Sequence, residues 1–115
     1  MNQTDTIISP ADALERAGGD QTLALELFSM LHRELPDYIN NLQLHYNDGD
    51  LTSVYELVHK IHGATKYLGV PELHHAASSY EGVLKRSEAA HYPRHYLQLM
   101  DALDHLQHAQ MQFDD

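Results

Sequence analysis

The chain has no cysteine and no tryptophan, only two phenylalanines, and seven lysines and arginines against seventeen aspartates and glutamates. Each scarcity removes a class of function. Without thiols there is no disulfide framework, no thiolate nucleophile and no sulfur-ligated zinc or iron–sulfur centre. A formal charge of −10, with the ten histidines neutral, repels phosphate backbones and anionic headgroups, so nucleic acid and membrane surfaces are poor partners. Long apolar runs are missing too. Glu26 interrupts the stretch from Leu23 to Leu31, and no basic segment followed by an apolar one stands at the N-terminus. The sequence therefore reads as soluble and without a signal peptide. Its 115 residues predict one domain over 1–115 with a single core.

Helical periodicity is what the sequence does have. After residue 10 apolar residues recur three and four apart, and no segment alternates at period two for long. The expected fold is all-α. Ser9 and Pro10 read as an N-cap and first helical position, and Gly18 with Gly19 ends that short helix. Asp20 caps a second helix, about 21 to 46, with a bend expected at Pro36, where one backbone donor is lost. Asn47, Asp48 and Gly49 end it. Asp50 caps a third helix to about Leu68, closed by Gly69; Pro71 opens a fourth to about Arg86, and Pro93 a fifth to about Met111. Short connections between the long helices predict an antiparallel, up-and-down four-helix bundle, with the short first helix as an extra element over one end. Residues 1–8 and 112–115 have little to bury and are expected to fray.

The third helix carries the informative face. Leu51, Val54, Val58, Ile61, Thr65 and Leu68 form one apolar stripe. With Ile61 at 0°, His59 falls at about 160°, Gly63 at about 200°, Lys66 at about 140°, Tyr55 at about 120° and His62 at about 100°. His59 points to solvent. Gly63, one turn on, costs about 1 kcal/mol relative to alanine in a helix interior, and its use there is access for another protein to the imidazole. On the fourth helix the stripe is Leu73, Ala77, Tyr80 and Leu84. His59 stands about ten residues before the reversal near Gly69 and Val70, and Glu81 about eleven after it, so the two reach nearly one height. A carboxylate accepting the Nδ1 proton would leave Nε2 outward as a nucleophile.

The run Val58-His59-Lys60-Ile61-His62-Gly63-Ala64-Thr65-Lys66-Tyr67-Leu68-Gly69 resembles the histidine phosphotransfer (HPt) domain of multistep phosphorelays, above all the C-terminal modules of BarA- and GacS-type hybrid sensor kinases. His59, Ile61, Gly63, Leu68 and Gly69 match the family pattern, and the likeness extends to Ala17-Gly18-Gly19 and to Leu31 through Pro36. The resemblance implies that His59 is the phosphoacceptor and that Glu81 is its polar partner. His62 and Lys66 would support the phosphate, and Tyr55 and Gly63 would belong to the docking face. His62 departs from the pattern, because it stands where a lysine is common. The resemblance further implies a monomeric phosphocarrier without kinase activity of its own. Its partners would be the receiver domain of a hybrid kinase and that of a response regulator. The receiver would supply the acid groups and Mg²⁺, the domain itself holding no cofactor, and the location would be cytoplasmic, as the end of a membrane sensor kinase.

Two other readings compete. One is a His/Glu metal-binding bundle, since Glu56 with His59 and Glu72 with His75 echo Glu-x-x-His di-metal pairs. Helical rise puts these pairs at different heights, and the pairs His91 with His95 and His105 with His108 supply only two ligands each. The other is an interaction module that is never phosphorylated.

Overall fold

A computed structural model describes residues 6–113. Its helices are α1 (Pro10–Arg16), α2 (Gln21–Asn47), α3 (Leu51–Thr65), α4 (Pro71–Lys85) and α5 (Tyr92–Gln107), with a 3₁₀ turn at Ala89–His91 before α5. Local chemistry sets the starts. The Ser9 hydroxyl accepts the Asp12 N–H, Asp20 the Leu23 N–H at 3.1 Å, and Asp50 the Ser53 N–H at 3.1 Å, each answering a donor that the first turn leaves open. Pro10 and Pro71 open α1 and α4, where a missing N–H costs nothing. Pro36 lies within α2, which continues through it.

α3 packs on α2 and α4, and α5 on α4 and α2, so the four long helices close into an antiparallel up-and-down ring. The core comes from one stripe of each: Phe28, Leu31, Leu35, Tyr38 and Leu42 from α2; Val54, Val58 and Ile61 from α3; Leu73, Ala77 and Tyr80 from α4; Leu99, Leu103 and Leu106 from α5. Leu51, at the foot of the expected α3 stripe, is exposed. α2 is nearly twice as long as α3, and its N-terminal half extends past the α3–α4 reversal. The short helix α1 lies against that half and against the reversal itself.

Three boundaries differ from the sequence expectation. α3 stops at Thr65 rather than Leu68, because the chain tightens into three-residue turns, Lys66 N–H to Gly63 and Leu68 N–H to Thr65, before Gly69 at φ +68°. α5 stops at Gln107, whose carbonyl accepts from His32 Nε2–H at 3.0 Å. The tail beyond it leaves the helix, and Met111 is buried near Leu25 and Phe28 of α2. The ends also bury more than expected. Residues 1–5 and 114–115 lie outside the described residues, but Ile7, Ile8 and Phe113 pack against the core, and the Thr6 carbonyl accepts the Glu72 N–H at 3.0 Å.

Candidate functional site

The bundle brings His59, His62 and Glu81 together at the α3–α4 seam. His59 Nδ1 is 2.5 Å from Glu81 Oε2 and His62 Nδ1 is 2.6 Å from Glu81 Oε1. Helical spacing explains the convergence. His59 and His62 are three apart and so lie on neighbouring turns of one face, while Glu81 stands on the antiparallel helix at their height. Burial separates their roles: the Glu81 side chain is 5% exposed, that of His62 28% and that of His59 65%. The acid sits beneath, and the His59 ring projects from it into solvent.

The protonation pattern follows from the carboxylate. Burial pushes the Glu81 carboxyl upward, but the hydrogen bonds and charge of His59 and His62 outweigh it and hold the group below the ordinary carboxylate range. An ionised carboxylate only accepts, so both Nδ1 atoms must carry hydrogen and donate. His59 in its neutral form then presents an Nε2 lone pair outward. The Glu81 contribution to stability is present above the ordinary carboxylate range and is lost as pH falls through its lowered pKa.

Of the other sequence candidates, Tyr55 lies nearly parallel to His59, with ring centroids 6.1 Å apart and 17° between planes. Gly63 is exposed in regular helix, and a β-carbon built there meets no neighbouring element within 4 Å among the described residues. Its own fold therefore does not require glycine. Lys66 caps the end of α3 with helical backbone, its carbonyl accepts from Arg16 Nη1 at 3.0 Å, and its side chain is exposed. The lysine that reaches the carboxylate is Lys85, with Nζ 3.7 Å from Oε2. Its signal was the i, i+4 spacing from Glu81.

A second layer also escaped the sequence reading. Thr65 Oγ1 donates to the His62 carbonyl at 2.9 Å and, with its one hydrogen spent, accepts from His74 Nδ1–H at 3.1 Å. The His74 ring then lies 4.9 Å from the His62 ring. Burial, with the charge of His62 and Arg16 behind it, lowers the His74 pKa.

The Glu-x-x-His pairs do not act as pairs. Glu56 is exposed, His59 is bonded to Glu81, and Glu72 accepts from His105 Nδ1–H at 3.0 Å. His95, the partner of His91 in one of the two-ligand pairs, is buried at 9% exposure. Among the described residues no group of three or more His, Asp or Glu side chains is placed to hold a metal ion. Among them also, no helix is long and apolar enough to cross a membrane.

The chain is similar in sequence and in fold to known proteins. Over 103 residues the chain is 31% identical to the sensor histidine kinase GacS of Pseudomonas protegens, covering 90% of this chain and 10% of that one. Over 95 residues it is 27% identical to the signal transduction histidine-protein kinase BarA of Escherichia coli, covering 82% and 10%. The chain thus spans about a tenth of the length of these curated relatives. The crystal structure of the HPT domain of a sensor hybrid histidine kinase from Shewanella superposes with a TM-score of 0.81 at 29% identity, covering 88% of this chain and 87% of that one. The sequence profile of the Hpt domain matches residues 26–109, a span that holds His59, His62, Gly63 and Glu81, and the chain belongs to the Hpt domain family.

Proposed function

We propose that this chain is the histidine phosphotransfer module of a two-component phosphorelay, with His59 as phosphoacceptor. The carrying observation is an imidazole 65% exposed whose Nδ1 is fixed by a carboxylate 5% exposed. In the forward step the His59 Nε2 lone pair attacks the phosphorus of a receiver aspartyl phosphate. The N–P bond forms, the P–O bond breaks, and the aspartate leaves as carboxylate. The imidazole becomes cationic while its Nδ1–H stays on Glu81, whose negative charge answers the positive charge that develops in the ring. Attack by the aspartate of a second receiver reverses these bonds and restores the neutral ring.

In this reading the domain is a monomeric carrier with no kinase chemistry of its own, and the acid groups and Mg²⁺ belong to the receivers. Its partners are receiver domains of a hybrid sensor kinase and of a response regulator, met in the cytoplasm. Tyr55 and Gly63 border the approach to Nε2. Incubation with a phosphorylated receiver tests the reading: acid-labile, alkali-stable label should move onto the domain and on to a second, unphosphorylated receiver. Binding of the receiver without any label would assign the domain to interaction alone.

A further inference from the structure

Glu81 accepts from two histidines, one at each oxygen, and only a carboxylate offers two acceptor atoms. Both of its oxygens are acceptors, whereas a glutamine offers one acceptor and one donor. With the side chain 5% exposed, water cannot stand in for a missing partner at Oε1. We propose that His62 is a positioning residue for the phosphoacceptor: by holding Oε1 it keeps Oε2 on His59 Nδ1, and so keeps Nε2 of His59 free of hydrogen. This deepens the phosphotransfer reading and rests on it for its consequence, but the tautomer it predicts exists in the unphosphorylated domain.

The surroundings of His62 are built to hold it still. Thr65 binds its carbonyl, and His74, anchored on the same hydroxyl, packs its ring against that of His62. Among the described residues His59 has no such buttress beyond Tyr55, and it stands mostly in solvent. An exposed imidazole without a fixed partner populates both tautomers, and the one with hydrogen on Nε2 cannot attack phosphorus. A carboxylate free at one oxygen could rotate toward Lys85, already 3.7 Å from Oε2, and release the His59 ring. The His62 bond closes that route.

Imidazole ¹⁵N spectra of the unphosphorylated domain read the tautomers directly. The parent should show hydrogen on Nδ1 of both His59 and His62. His62→Leu removes the donor, and His59 should become a tautomer mixture, with the rate of phosphoryl acceptance falling about tenfold or more, as loss of an orienting group behind a histidine does elsewhere. His62→Asn places an N–H close to where Nδ1 stood, and should recover both the His59 tautomer and most of the rate. Glu81→Gln should drive His59 and His62 into opposite tautomers, since the amide gives one acceptor and one donor. Parent-like tautomer and rate in His62→Leu would overturn the proposal, as would failure of His62→Asn to recover either. Failure of the parent to accept phosphate at all would instead strike the phosphotransfer reading, because the ¹⁵N result would stand without it.

Discussion

A β-carbon placed on Gly69 would stand 2.7 Å from Cβ of Ala13, and as close to the Ala13 nitrogen and the Ser9 carbonyl oxygen. The α3–α4 reversal and α1 are therefore pressed backbone to backbone, and the Ser9 N–H donates to the Gly69 carbonyl at 2.8 Å. Position 69 also has φ +68°. Gly69→Ala should destabilise the domain by about 2 kcal/mol or more, since both the backbone conformation and the contact oppose the methyl group. Urea unfolding checks this, and a midpoint equal to the parent's would contradict the packing described.

Gly63 is the opposite case. A β-carbon at position 63 would meet no neighbouring element within 4 Å among the described residues, and its φ is ordinary for helix. Gly63→Ala should raise stability by up to about 1 kcal/mol through helix propensity. Gly63→Gln should fold as well as the parent, yet phosphoryl acceptance should drop by about a hundredfold, because bulk beside His59 displaces the incoming aspartyl phosphate from line. Stability and transfer, measured on the same preparations, should thus move in opposite directions. Parent-rate transfer in Gly63→Gln would remove Gly63 from the docking face.

Acid should weaken the fold in two stages. Burial lowers the pKa of His95, and also that of His74, below the ordinary histidine value. Their contribution is present above the unfolded histidine pKa and is lost as pH falls below it, because the unfolded chain takes up protons first. Each group can add a slope of at most about 1.4 kcal/mol per pH unit. His105 acts in the other sense, raised by its bond to Glu72, but it is nearly half exposed and its effect should be small. Glu81 joins only below the ordinary carboxylate range. His95→Leu should flatten the first stage and raise stability at pH 7, since the buried Nδ1 of His95 has no partner among the described residues. Urea midpoints between pH 5 and 8 measure both effects, and an unchanged slope would show that His95 is not the acid-sensitive group.

A chelator should leave the melting temperature and helix content unchanged, in contrast to a domain folded by a metal ion. A drop of many degrees after chelation, restored by one divalent ion, would return the metal-bundle reading to consideration.

How much of this was legible in the sequence depended on range. Caps at Ser9, Asp20 and Asp50 follow from local hydrogen bonding and lie where the sequence puts them. His59 outward and Glu81 at its height follow from helical period and rise, which the short reversal preserves. The burial of Glu81 beneath both imidazoles was not legible, because it depends on side-chain rotamers across two helices rather than on spacing. The burial of His95 and the return of Met111 to α2 arise from long-range packing, for which a polar His and a helical pattern near the C-terminus are poor signals.

The central claim is that the exposed histidine held by Glu81 carries the phosphoryl group, and mapping the phosphorylated residue tests it most directly. After incubation with a phosphorylated receiver, mass spectrometry under alkaline conditions should place one phosphoryl group on His59. His59→Gln should accept none while keeping the parent's helix content, since this side chain lies outside the core. Label at any other of the ten histidines, or undiminished label on His59→Gln, would contradict the account.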